Sequence, residues 1–134
     1  MPGITVHQFD VSLPFSEFPH VPVRAWLRFD SSLPYGVCLS FGRCTPEGST
    51  LDWYFGRDLL SEGRYAPAGD GDVRVRPGGP GRTLIILRTA EREAVISAPA
   101  FAVTAFLAES FALVPAGTEP EVLDLDALCA RLVA

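Results

Sequence analysis

The fold class this sequence predicts is α+β, with two antiparallel sheets curved against each other, a short mid-chain helix and two C-terminal helices. Three observations carry that expectation. Apolar and polar residues alternate with period two through Val23–Asp30 and again through Leu51–Phe55, the signature of half-buried strands. The strand-like segments are separated by short clusters rich in Gly, Pro and Ser, which suit hairpins rather than long crossovers. From Pro99 onward the apolar period becomes helical, which segregates the helices to one end of the chain.

Ile4 to Leu13 reads as the first strand. Ile4 and Val6 share one face while Phe9, Val11 and Leu13 share the other, which predicts a bulge or a strand covered on both sides. Pro14 to Pro22 holds three prolines and reads as a loop. In Val23–Asp30, Val23, Ala25, Leu27 and Phe29 face one way and Arg24, Trp26, Arg28 and Asp30 the other. Val37, Leu39 and Phe41 continue the alternation, and TPEGST forms a hairpin loop into the next strand, completing an antiparallel meander.

The stretch LDWYFGRDLLSEG, Leu51 to Gly63, is the pivot between the two halves. Its strand gives way at Gly56 to a short helix that points Leu59 and Leu60 inward. Gly63 stands where a left-handed C-cap glycine would stop that helix. Tyr65–Asp72 reads as a loop, Val73–Arg76 as a short strand and PGGPG, Pro77 to Gly81, as a tight connection. The unbroken run Leu84–Leu87 fits a strand covered on both faces, with Ala94–Ala98 as its hairpin partner.

Ser97, Ala98 and Pro99 signal a helix start, proline being acceptable in a first turn. The helix runs to Leu113 and carries apolar residues nearly all round, which predicts burial over most of its circumference. Pro115 to Gly117 ends it. A last helix is expected from Asp124, with Leu125, Leu128, Cys129 and Leu132 on one stripe.

A chain of 134 residues is one domain, residues 1–134, by the usual size prior. An apolar content of 48% with 20% charged residues is that of a globular chain and excludes disorder. A net charge of −5 argues against general nucleic-acid binding, which phosphate neutralisation drives. All eleven basic residues are arginine, planar forks suited to carboxylates and aromatic faces. The N-terminus lacks a signal-peptide pattern, and no apolar run approaches the ~20 residues that span a bilayer. A cytoplasmic protein with reduced thiols is the expectation.

Candidate chemistry is sparse. His7 and His20 fall in no metal-ligand spacing, so neither metal nor cofactor is expected. Cys38 and Cys44 share a strand face but lie too far apart to bond, and with Cys129 they read as small buried hydrophobes. No strained serine elbow is present, so no catalytic residue is assigned and the chain is read as a non-enzyme. Asp70, Asp72, Glu91 and Glu93 lie in turn regions as solvated loop ends. The glycines from Gly69 to Gly81 lack a Walker lysine and a following helix.

The Arg24–Trp26–Arg28 face, with Arg74 and Arg76 extending it, is the candidate partner-binding surface. Its composition suits an ordinary solvent face, a protein interface or the stacking platform of a single-stranded nucleic-acid binder. Phe101, Phe106 and Phe111 are the candidate oligomer interface, because the final helix alone is too short to cover all three rings.

Four separated motifs in register carry a family resemblance: FDSSLPYGV (Phe29–Val37), WYFGRDLLSEG, GDGDVRVRP (Gly69–Pro77) and VPAGTEPEVLDLDAL (Val114–Leu128). They resemble the SsgA-like family of actinobacterial sporulation and cell-division proteins, nearest the SsgB type, from about Pro22 to the C-terminus. The resemblance implies a barrel-like, whirly-like β core and a non-enzymatic role in siting division septa. It further implies recruitment or localisation of the division GTPase FtsZ or an SsgA-type paralogue, and a homo-oligomer with a trimer favoured. The nucleic-acid binder of whirly-like fold remains the alternative. The segment through Pro22 does not match the family pattern well.

Overall fold

Among the described residues, the seven strands, the mid-chain helix and the long helix after them follow the predicted order, and a short helix at Glu119–Val122 is additional. β1 (Ile4–Val11), β2 (Val23–Asp30), β3 (Gly36–Phe41) and β4 (Leu51–Gly56) build a four-stranded sheet, each strand antiparallel to the one before. α1 (Arg57–Glu62) follows β4 without a loop. β5 (Val73–Pro77), β6 (Arg82–Arg88) and β7 (Glu93–Pro99) form a second antiparallel sheet, and α2 (Ala100–Leu113) and α3 (Glu119–Val122) complete the fold. The computed structural model describes residues 3–42 and 51–122. The TPEGST turn, Cys44, Cys129 and the helix expected from Asp124 lie outside those residues.

The core sits between the sheets. Ala25, Leu27 and Phe29 of β2 and Val37 and Leu39 of β3 face Val75, Ile85, Ile96 and Ala98 of the second sheet in one cluster. Leu27, Phe29, Leu39 and Ile85 are wholly buried, each contributing about 1.5–3 kcal/mol relative to exposure. The two-faced reading of β2 holds, since Trp26 lies on the face opposite Leu27 and stays half-exposed. In β6 the apolar run is covered on both sides, with Ile85 and Leu87 in the core and Ile86 buried on the other face.

Several expectations need correction. β1 pairs with β2 in unbroken register from Ile4↔Asp30 to Val11↔Val23, so no bulge intervenes. Ile4 and Val6 face outward and are exposed. A barrel-like closure is not seen either: the sheets remain separate. Ser12 and Ser97 join them by two backbone hydrogen bonds of 3.0 and 2.9 Å, the one β-bridge between the sheets among the described residues. On the opposite side α1 packs on both β4 and β5.

Gly63 does not adopt a left-handed conformation. Its φ is −65° and its ψ −12°, which any residue accepts. Glycine is required there by space: a Cβ would fall 2.3 Å from Val75 Cγ1 and 2.4 Å from Val75 Cβ. The short helix is therefore pressed against β5 at its end, and the absent side chain permits the approach.

α2 begins one residue late, at Ala100, because Pro99 remains the last residue of β7. It buries a stripe, namely Ala102, Val103, Phe106, Leu107 and Ser110, and not most of its circumference. Alanines, Thr104, Glu109 and Phe101 occupy the exposed side, so an apolar sequence does not translate here into an all-round buried helix. Glu109 ties the helix to β1 by accepting a hydrogen bond from Thr5 Oγ1 and pairing with His7 Nε2 at 2.9 Å. The His7 ring also stands edge-on to Phe106, 5.7 Å between centres at 79°.

Candidate protein-contact surface

Strand alternation in β2 sends Arg24, Trp26 and Arg28 out of the first sheet, and the register decides their neighbours. Trp26 lies between Gln8 of β1 and Ser40 of β3, and Arg28 between Val6 and Cys38. The indole leans over the end of β3, where a Cβ on Gly42 would come within 2.8 Å of the ring. Trp26 is thus seated on the sheet and offers one side of its ring.

The two arginines are not free cations. Arg24 Nε lies 3.2 Å from Asp10 Oδ1, and Arg28 Nη2 lies 3.9 Å from Asp30 Oδ2. Asp30 also accepts hydrogen bonds from Ser32 Oγ at 2.7 Å and Ser32 N–H at 2.9 Å. These two bonds, with a smaller effect from Arg28, hold its carboxyl below the usual aspartate range. The surface is therefore close to charge-balanced, which suits a protein contact better than a polyanion. Exposed Ile4, Val6, Leu33 and Tyr54 share this side of the sheet or its rim. Aromatic and arginine side chains among apolar neighbours are the composition of interface anchors.

Arg74 and Arg76 do not extend this surface. They alternate with core-facing Val75 on β5, so they emerge from the outer side of the other sheet, across the shared core. Arg74 Nη2 pairs with Glu93 Oε2 at 2.9 Å, and Arg88 reaches the same oxygen at 3.4 Å. The three phenylalanines also separate. Phe106 is wholly buried in this chain's own core and so cannot face a second subunit, Phe111 is partly buried, and Phe101 alone is freely exposed at 79%. Cys38 is a buried free thiol with its Sγ 3.5 Å from Ser40 Oγ.

Sequence reasoning missed the best-connected side chain, Arg57. Placed at the start of α1 by the Gly56 turn, it is 1% exposed. Its Nη1 donates to the carbonyl oxygens of Ser110 at 3.0 Å and Val114 at 2.8 Å, and its Nη2 meets Glu119 Oε1 at 3.1 Å. The guanidinium carbon lies 4.8 Å from the Phe29 ring centre and 4.2 Å from that of Phe111. Burial lowers the Arg57 pKa from its ordinary value, while Glu119 and Asp58 oppose that shift. Glu119 Oε1 in turn accepts the Gly117 N–H at 2.8 Å. Arg57 thereby satisfies the final carbonyls of α2 and locks the chain beyond it. The available signal was an arginine inside the pivot motif and a glutamate inside the tail motif, two motifs that the fold makes into one contact.

Among the described residues no helix is long and apolar enough to cross a membrane, and no group of three or more His, Cys, Asp or Glu side chains could hold a metal ion. These features define a class: a small two-sheet α+β protein whose long helix α2 is braced from within at its end.

Residues 23–119 match the family described as Streptomyces sporulation and cell division protein, SsgA, and the chain belongs to that family. Sporulation-specific cell division protein SsgB of Streptomyces coelicolor is 44% identical over 117 residues, covering 85% of this chain and 84% of the relative. SsgB of Frankia casuarinae is 38% identical over 116 residues, covering 84% and 80%. A solved structure from work relating mutations in SsgB to longitudinal cell division during sporulation of Streptomyces coelicolor superposes with a TM-score of 0.82 at 40% identity, covering 92% of this chain and 98% of the other. The SsgA-like sporulation-specific cell division protein of Thermobifida fusca gives a TM-score of 0.76 at 26% identity, covering 96% and 94%. Arg57 and Glu119 both fall within the family match.

Proposed function

We propose that this chain is a non-enzymatic scaffold of sporulation septation that positions the division machinery by protein–protein contacts at the septum. Its partners are FtsZ or an SsgA-type paralogue, and it acts in the cytoplasm. The observation that carries this reading is the outer face of the four-stranded sheet, where Trp26, Arg28 and Tyr54 stand among exposed apolar residues within a family of sporulation division proteins. The near-balanced charge of that face favours a protein partner over single-stranded nucleic acid.

Co-sedimentation of the purified chain with polymerised FtsZ, alongside titration of labelled single-stranded DNA, tests the reading. Binding to FtsZ that falls about tenfold in Trp26→Ala or Arg28→Glu supports it, that loss being typical of an interface anchor. Tight DNA binding with a steep salt dependence and no FtsZ binding overturns it. Assembly as a homo-oligomer, with three subunits favoured, belongs to the same proposal. Exposed Phe101 on α2 is the side chain best placed to meet a second copy.

A further inference from the structure

Among the described residues, the β4 edge of the first sheet is unpaired. Gly42 N–H donates to the Arg24 carbonyl and Arg57 N–H to the Tyr35 carbonyl. These two bonds set the parity of the ladder: even-numbered residues of β3 turn their amides to β2, and odd-numbered residues of β4 turn theirs to β3. Asp52 and Tyr54 therefore aim their N–H and C=O groups away from the sheet, where β4 is the terminal strand. No described residue bonds to those outward groups. Natural sheets blunt such edges with charged side chains, proline or a covering element, and β4 carries no proline and a single charge, Asp52.

Where β4 begins, the two sheets part into an apolar crevice of about 240 Å³ that runs across the strand ends to Leu13 and Val23. It is lined on the β4 side by Leu51 and Trp53, with Ile96 and Arg92 from the second sheet and its turn. A void of ~150 Å³ with such walls accepts a benzene ring, so the crevice is large enough for a leucine or phenylalanine side chain. Leu51 is 47% exposed, and the Arg92 side chain forms no ion pair with any described residue.

We propose that an extended segment of a partner protein adds to the β4 edge as a fifth strand, sets one apolar side chain in the crevice and places a carboxylate against Arg92. Main-chain pairing supplies affinity in this mode and the side-chain pocket supplies selectivity. A second copy of the chain fits less well. Core-side positions of its own β4 are Leu51, Trp53 and Phe55, which offer Arg92 no carboxylate. The proposal rests on the contact-protein reading above but commits it to another place, so each can fail alone.

Selection of a displayed random-peptide library on the purified full-length chain, followed by amide exchange with an enriched peptide bound, is the test. The expected peptides alternate apolar residues with at least one Asp or Glu, and slow exchange of the Asp52 and Tyr54 amides. Asp52→Pro, which removes an outward N–H of β4, and Arg92→Glu each weaken binding about tenfold, while Trp26→Ala does not. Leu51→Arg at the crevice rim does the same work where Asp52→Pro fails to fold. No enrichment overturns the proposal, as do peptides that leave those two amides unprotected. It is equally overturned if decanoate occupies the crevice while peptides do not, or if a dilution-sensitive dimer already protects the edge. Loss of peptide binding in a variant that still sediments with FtsZ separates this site from the Trp26 face.

Discussion

Replacing Arg57 by alanine removes the brace between α1 and the end of α2. Three hydrogen bonds disappear, two of them from a cation to the Ser110 and Val114 carbonyls and one to Glu119. Glu119 is left 7% exposed without its counter-ion, and Phe29 and Phe111 lose the guanidinium between them. Removing one partner of a buried ion pair costs about 3–5 kcal/mol, because the other is stranded. In a chain of this length each kcal/mol moves Tm by about 3–5 °C, so the expected fall is about 9–25 °C. Thermal and urea melts followed by circular dichroism measure it. Arg57→Met combined with Glu119→Leu should recover a substantial part of the loss, since neither charge is then orphaned. A fall below about 1 kcal/mol in Arg57→Ala, or a double variant no better than the single one, would refute the reasoning.

Gly63→Ala should lower stability by about 2 kcal/mol through contact with Val75, and adding Val75→Ala should relieve part of that in the same melts; simple additivity would show that the close approach is not the cause. Glu109 is held below the ordinary glutamate range, first by the Thr5 hydroxyl and then by His7. A depressed carboxylate stabilises above its unfolded pKa and loses that contribution as pH falls through its folded value, so Tm measured against pH should drop less steeply on the acid side in Glu109→Gln than in the parent. Phe101→Asp should leave the melting curve of the fold nearly unchanged while reducing the mass seen by light scattering; an unchanged mass removes Phe101 from any subunit contact.

β2 was fully legible because alternation decides it: burying Ala25, Leu27 and Phe29 forces Trp26 and the arginines outward. The same logic gave β3 and β4, whereas β6 was legible from the unbroken apolar run Leu84–Leu87 and β7 as its hairpin partner. What stayed hidden depends on contacts remote in sequence. Gly63 looked like a cap because a glycine after a helix usually is one, and only the position of Val75 reveals the steric reason. Nothing local to Arg57 shows that the end of α2 will lie over it. The four candidate arginines, Arg24, Arg28, Arg74 and Arg76, could not be divided between two sheets without knowing where the core lies. Phe101, Phe106 and Phe111 read as one apolar set, yet the helical period sends Phe106 inward and Phe101 outward.

The strand order has a consequence for how the chain folds. Every ladder joins strands adjacent in sequence, β1 through β4 and then β5 through β7, so both sheets grow from short-range contacts whose loop-closure cost is small. Joining them is a different event. The Ser12–Ser97 bridge and the Thr5 and His7 bonds to Glu109 close loops of most of the chain length, and the Arg57 contacts with Ser110 and Val114 span more than a third of it. The entropic barrier is concentrated in that single docking step, which must bring the first strand, the pivot and α2 together at once. Two meanders can therefore take shape on a nascent chain while the molecule as a whole still waits for α2 to be synthesised.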